Sequence, residues 1–519
     1  MLRAVPTMKK PSHEPPPAKD GPSPVESARG LDRRALLAFG LGAPLAAVAS
    51  ARSAEARQTR TPPEASNGLD PALARAIDAQ ASVQQRLVAD ALGNGAAYAR
   101  LARLIAVAPH RLSGSPGLAA AIEWARAECE RLGADSVRLE KVDVPHWERG
   151  THCRVRIESA EGASGEVLPS LALGGSDASP VGGLAAEVIE VRSFDDLLRR
   201  ADEARGRIVF HNRPMDASLV ETGAAYGGAV EQRVRGAIEA AKAGAIASIV
   251  RSMGPNVDDW PHTGGMGYQA GVPRIPAAAI STRAAERLSA LVARGSVRLH
   301  LEQDCGWRDT PAPSFNVVAD WHGRERPDEI VLVGGHLDGW DVGDGAHDDG
   351  AGCVHSLEVA RLFTRLERRP RRTLRVVLFT NEENGLAGGR EYARAHAEEL
   401  SAHVLALESD SGGFTPRGFG TNAGALGFAW LERIASHLAF AGAGELRSPG
   451  GGADIGPMAP AGVPLVGFRP DGQRYFDVHH THNDTLATVS PRELHLGAGA
   501  IAAFLWTVAE LEATLPRNG

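Results

Sequence analysis

Histidine and carboxylate side chains concentrate in four short stretches of this 519-residue chain. The first, GGHLDGWDVGDGAHDDGAG, places Asp338 two residues after His336, and Asp348 twelve residues after it. The second, FTNEENG, carries Glu382 and Glu383; the third, ALESDSGG, carries Asp410. The fourth, YFDVHHTHNDT, carries His479, His480, His482 and Asp484. Brought together, these residues offer two or three imidazoles and at least four carboxylates. Carboxylates packed side by side repel one another unless a cation sits among them. Neutral imidazole with carboxylate oxygen is a donor set that suits divalent zinc. Taken singly, each stretch has a plainer reading: a hydrogen-bonded turn, a solvated helix start, a pair of surface histidines. Their common position, just after apolar runs, argues for a shared site.

Those apolar runs must position the side chains. Residues 315–321, 330–335, 374–380, 404–409 and 464–468 read as buried strands. Helical patterns lie between several of them, at 349–366, 388–400 and 426–441, and a last helix opens at Ser490-Pro491, a good N-cap followed by a good first residue. Strands alternating with helices predict an α/β fold: a mixed, mostly parallel sheet covered by helices on both faces. In such sheets ligands bind beyond the carboxyl ends of the strands. Upstream, Asp70-Pro71 opens a helix expected to run to about Leu92, a second helix starts near Pro116, and Ser136–Val144 alternates as a strand. From 152 to 301 the texture changes to short strands (186–191, 207–211, 247–250 and Ala277–Ile280) with a helix at 236–243. That segment reads as a separate, β-rich inserted domain. The expected organisation is a leader over residues 1–56, a first part of the main domain over 57–151, the insert over 152–301, and the metal-bearing remainder over 302–519.

Composition excludes several classes. A net charge of −7 and an aromatic content of 5% argue against a nucleic-acid partner, which would need basic patches or stacking platforms. Four widely spaced cysteines form neither a disulfide scaffold nor a cysteine zinc site. Residues 1–28 are Pro-rich and polar; then come Arg33-Arg34, an apolar run over 35–49 and small-residue cleavage sites. That order reads as an export signal resembling the twin-arginine type, with an ordinary export signal or an uncleaved anchor as the alternatives. The run is short for a membrane span, so the mature protein is expected to be periplasmic or extracellular without a stable span.

The order H-x-D, D-D-G, N-E-E, E-S-D and H-T-x-x-D-T resembles the dizinc aminopeptidase/carboxypeptidase family, the zinc exopeptidases. The likeness extends to HRLSGSPG (110–117), VPHWERG (144–150), FDDLLRRADEARGRIVF and PHTGG…GVPRIP, and covers roughly residues 100–510. It implies two zinc ions per chain. Asp348 would bridge them, His336 and Asp410 would complete one, and Glu383 and His480 the other. Glu382 would act as general base toward a water shared by the metals. Asp338 would accept the second ring N–H of His336, and Asp484 that of His480. Asp349 would shape the turn. His479 stands where some relatives carry a tyrosine, and an oxyanion-stabilising role is expected there.

The insert resembles a protease-associated domain that walls the cleft. Cys153 and Cys305 flank it, as a bonded pair or as two thiols; Cys353 reads as buried packing. The implied activity is hydrolysis of small peptides with a free amino end, dipeptides included. Asp454 is a candidate partner for that ammonium, or a buried turn-former. A homodimer accords with the resemblance. The alternatives are an aminopeptidase acting on longer peptides, a receptor-like relative that does no chemistry, and a glutaminyl cyclase with one zinc.

Overall fold

The computed structural model describes residues 69–518; the leader expected over residues 1–56 lies outside them. The five strands predicted around the histidines and carboxylates lie in one eight-stranded sheet with Ser136–Val144 and two strands not expected from the sequence, Pro416–Thr421 and Glu445–Arg447. Its order is Ser136–Val144, Ala312–Trp321, Arg372–Phe379, Arg326–His336, His403–Glu408, Leu465–Pro470, Pro416–Thr421, Glu445–Arg447. The four strands from Arg372–Phe379 to Leu465–Pro470 run parallel. Both flanks turn antiparallel, and the last pair is parallel again. Arg372–Phe379 and His403–Glu408 are buried along their whole length, as strands covered on both faces must be.

Helices Pro116–Arg131, Ala351–Thr364, Ala425–Ser436 and Pro491–Glu510 share one large apolar cluster with one face of the sheet. Helix Ala387–Ala395 and the turn Gly456–Ala461 cover the other face through Tyr392, Ile455 and Met458. Pro491–Glu510 begins as its sequence predicts: Pro491 is its first residue and Ser490 Oγ accepts from Glu493 N. From Gly497 to Glu510 every residue is buried, so this helix is a core element apolar on all sides. No helix among the described residues is long and apolar enough to cross a membrane.

The helix expected from Asp70 to about Leu92 is two, Pro71–Asp78 and Ala81–Asn94. The first packs on Ala425–Ser436, where Arg433 pairs with Asp78; the second packs along Pro491–Glu510. One straight helix cannot follow both partners, and the break at Ala79-Gln80 lets the chain change direction.

A second eight-stranded sheet is built from Val167–Leu168, Cys153–Ser159, Arg298–Gln303, Leu184–Val191, Ile208–His211, Ala247–Arg251, Ala277–Ile280 and Ser170–Ala172, in that order. The four strands from Leu184–Val191 to Ala277–Ile280 are parallel. Cys153 lies opposite Gln303 in an antiparallel pair, so the chain enters and leaves this sheet at one place. The segment is more helical than expected: Thr222–Ala229 and Thr282–Val292 join Gly236–Lys242. Cys153 and Cys305 are both thiols and pack in one small cluster with Trp147 and Trp340. Cys353 is fully buried, its Sγ donating to the His336 carbonyl.

Candidate metal centre

The parallel strands deliver the side chains to one rim. His336 ends its strand, opposite Phe379 of the neighbour; Glu382 and Glu383 follow Phe379 by a short turn. Glu408 ends the next strand, and Asp410 lies two residues beyond. Asp348 precedes helix Ala351–Thr364, and His479-His480 lie in the turn before the last helix. Asp349 lies beneath His336, accepting from His336 N at 3.0 Å and Gly352 N at 2.9 Å. Two glycines make room for it: a Cβ on Gly335 or on Gly352 would collide with the Asp349 carboxylate.

Two trios of ligand-type atoms result, sharing Asp348. His336 Nε2 lies 3.3 Å from Asp348 Oδ1 and 3.5 Å from Asp410 Oδ1. His480 Nε2 lies 3.3 Å from Asp348 Oδ2 and 3.1 Å from Glu383 Oε2. Asp348 Oδ2 and Glu383 Oε1 are buried without a hydrogen-bond donor among the described residues. Buried polar atoms ordinarily find partners, and the groups nearest these two are imidazole rings and other carboxylates. Three carboxylates, two imidazoles and orphaned oxygens fit divalent zinc.

The electrostatics agree. Burial pushes Glu382 well above the usual carboxylate range, and the Asp410 and Glu383 carboxylates add to the effect. Glu383 is raised by burial too, with Asp348 contributing. Burial opposes charge on His480, but Glu383 and Asp348 outweigh it and lift the ring to about 9. For His336 the Asp348 and Asp410 carboxylates likewise overcome burial and hold the ring well above its ordinary value. The carboxylates that favour charge on these rings would equally favour a bound cation among them.

The supporting contacts differ from those expected at two residues. His336 Nδ1 faces the backbone carbonyl of Asp338 at 3.0 Å, while the Asp338 carboxylate is 3.9 Å away. That carboxylate instead accepts from Glu382 N (3.0 Å), Glu383 N (3.3 Å) and Ser113 Oγ (3.1 Å), and so holds the Glu382-Glu383 turn. Asp484 does not meet the His480 ring. It accepts from His347 N at 2.7 Å and Asp348 N at 3.0 Å, fixing the loop that presents Asp348. A carboxylate near a ligand histidine can thus serve the backbone rather than the ring, a distinction that spacing does not carry. Buried Arg111 binds the same loop through the carbonyls of Leu337, Asp344 and Gly345. His482 belongs to neither trio and packs over Trp260. Asp454 is fully buried, both its oxygens lack partners, and it does not line the cleft, so the ammonium-binding place suggested for it is not where it sits.

The second sheet reaches the metal centre directly. Thr263 N donates to the His480 carbonyl at 3.0 Å, and the Thr263 carbonyl receives His480 Nδ1 at 3.3 Å. Next to it, His262 Nε2 lies 3.1 Å from His479 Nδ1. Buried Arg233 donates to Tyr226 Oη, to the Thr263 carbonyl and to the Gly265 carbonyl. Arg149 pairs with Asp341 and also donates to the Ala172 carbonyl, tying the two sheets together. A cavity of about 800 Å³ opens over the site, lined by Glu382, Asp410, His479, Tyr226, Arg233 and Tyr475 among others. In the sequence PHTGG stands out as a motif, but nothing local gives His262 or Thr263 a task or marks Arg233 and Tyr226. Their signal is tertiary: only the fold shows that they face the turn carrying His479 and His480.

The model of peptidase family M28 matches residues 316–505. Carboxypeptidase Q of Mus musculus is 40% identical over 423 residues, covering 81% of this chain and 87% of the relative. The crystal structure of a peptidase M28 precursor from Shewanella amazonensis SB2B superposes with a TM-score of 0.81 at 35% identity, over 85% of this chain and 99% of that one. A zinc aminopeptidase from Bacillus subtilis shares the fold at a TM-score of 0.59 and 20% identity, over 80% of this chain and 95% of that one.

Proposed function

The chain belongs to peptidase family M28 and is a metallopeptidase, and from that premise we propose that it is a dizinc exopeptidase cleaving small peptides with a free amino end, as the likeness to carboxypeptidase Q suggests. The observation that carries the reading is the single carboxylate, Asp348, common to two complete ligand trios. His336 and Asp410 would hold one ion with it; Glu383 and His480 would hold the other. Bound zinc would supply Lewis-acid chemistry, polarising a carbonyl and making water acidic enough to attack near neutral pH.

The chain's own residues supply the rest. Glu382 is held by its backbone N–H to Asp338, beside a ligand yet in neither trio. It takes the proton of the attacking water and delivers it to the leaving amine. His479 stands 3.6 Å from Asp348 Oδ2 on the cavity wall and stabilises the oxyanion that forms. The second sheet acts as a protease-associated domain inserted over residues 152–301, closing the cleft and holding the second histidine. Export through the leader over residues 1–56 and homodimerisation belong to the same reading.

The test is metal analysis with a peptide assay. Two zinc ions per chain and chelator-sensitive cleavage of dipeptides ahead of tetrapeptides support the proposal. One zinc would favour a cyclase, near zero a receptor-like relative, and preference for tetrapeptides an aminopeptidase of longer peptides. Absence of chelator-sensitive cleavage of either would overturn it.

A further inference from the structure

His262 lies in the loop between strands Ala247–Arg251 and Ala277–Ile280 of the second sheet, yet its ring is buried against the metal-site turn. Strand Ala247–Arg251 ends just before Ser252, whose hydroxyl accepts from His262 N at 2.7 Å and donates to the Ile280 carbonyl at 2.7 Å. The His262 backbone is therefore pinned to two strands of that sheet. Its ring is pinned as well: Met253 N–H donates to Nδ1 at 3.3 Å. An N–H donor facing Nδ1 requires a lone pair there, so the ring proton sits on Nε2. Nε2 lies 3.1 Å from His479 Nδ1 and is the donor in that contact. His479 Nδ1 must then carry the lone pair, and the His479 proton is on Nε2. Among the described residues that N–H makes no hydrogen bond, and it sits on the cavity wall with Asp348 Oδ2 3.6 Å away. The ring cannot easily turn away, because it stacks on His480 at 3.6 Å and abuts Tyr226 and Phe476.

We propose that His262 is a positioning residue: it fixes His479 as the Nε2–H tautomer, so that the N–H on the cavity wall, 3.6 Å from Asp348 Oδ2, is the group offered to the oxyanion of the reaction. The hydrogen bonds run in one direction, from Met253 N–H through both rings. They also exclude a third metal among His262, His479 and His480, three ring nitrogens close enough to suggest one. A metal on His262 Nε2 would force the proton onto Nδ1, against the Met253 N–H. The catalytic consequence rests on the oxyanion role given to His479; the tautomer does not.

Two variants separate the steps. His262→Leu removes the donor, while His262→Gln keeps an acceptor for Met253 N–H and an N–H for His479. Long-range proton–nitrogen spectra of histidine-labelled protein read the tautomer directly. The wild type is expected to show His479 protonated at Nε2, His262→Leu a mixture of tautomers, and His262→Gln the wild-type pattern. With zinc content unchanged, His262→Leu should lower kcat about 10- to 100-fold with KM within about twofold, and His262→Gln should recover to within about threefold of wild type. A wild-type His479 protonated at Nδ1, or a tautomer unchanged in His262→Leu, overturns the proposal. So does an unchanged kcat in His262→Leu where His479→Ala costs tenfold or more. If His479→Ala itself costs less than about tenfold, the oxyanion role falls, and the nitrogen spectra still decide the tautomer.

Discussion

His336 and His480 stand on opposite sides of Asp348, and different parts of the chain satisfy their second ring nitrogens. His336 Nδ1 meets the carbonyl of Asp338, two residues along the same loop of the main sheet. His480 Nδ1 meets the carbonyl of Thr263, in the loop between strands Ala247–Arg251 and Ala277–Ile280 of the second sheet. A ligand histidine needs that second contact to fix its tautomer and orientation. One half-site is therefore complete within the peptidase sheet, whereas the other depends on how the second sheet is seated. His480 itself has a positive φ of 58°, a region in which a residue with a side chain needs outside support. On the proposed dizinc reading, the second sheet would take part in assembling the metal centre.

The strongest test removes what the halves share. Asp348→Ala should empty both sites and lower kcat/KM by at least about a thousandfold, since metal chemistry supplies several kcal/mol of transition-state stabilisation. Elemental analysis checks it. Retention of one ion at full occupancy would mean that the halves are independent and that Asp348 is not the bridge.

A sharper test acts on one side only. Gly264 follows Thr263 at a φ of +133°, and a Cβ there would strike the Arg233 guanidinium and lie 2.7 Å from His480 Nδ1. Gly264→Ala should weaken the His480 ion by about 10- to 100-fold, the usual cost of disturbing a contact behind a ligand, and leave the His336 ion in place. Graded chelation followed by zinc counting should then pass through a one-zinc form. If both ions leave together, as in the wild type, the second sheet does not support its half selectively.

The contrast also marks what could be read before the fold was known. Three of the four candidate ligand stretches are legible because each follows a continuous apolar strand, and strand ends of a parallel sheet share a rim; the fourth, with His479 and His480, lies in a turn beyond strand Leu465–Pro470. The helix from Ser490-Pro491 is legible from its cap. Pro416–Thr421 is not: PRGFGT carries a proline and two glycines, and it is a strand because it pairs with Leu465–Pro470 and Glu445–Arg447. Cys153–Ser159 alternates Val155 and Ile157 with arginines and is easily taken for a solvated loop. The same limit applies inside the site. Asp338 and Asp484 stood out as carboxylates beside histidines, but both accept from backbone N–H groups. Which partner a buried carboxylate takes depends on loop geometry that local sequence does not encode. His262 and Thr263 lie more than 200 residues from the turn they support.

The smallest effect separates the stability of the main sheet from the assembly of its metal centre. His396, beyond helix Ala387–Ala395, lies 3.0 Å from Glu140 on an edge strand and 2.8 Å from Glu399. Burial works against its charge, but the two carboxylates prevail and raise the ring to about 9. A group whose pKa is higher folded than unfolded stabilises the fold fully below its unfolded value, near 6.5, and loses that contribution as pH rises through its folded value. Thermal stability should therefore decline between about pH 6.5 and 9.5, and His396→Gln should flatten that part of the profile while lowering stability at the acid end. Neither of the two trios includes His396, so zinc content should be the same in the variant at pH 7. A variant that keeps the full wild-type decline would place its origin in another group; one that also loses zinc would show that the edge of the main sheet, like the second sheet, reaches the metal centre, and the asymmetry between the half-sites would need a different explanation.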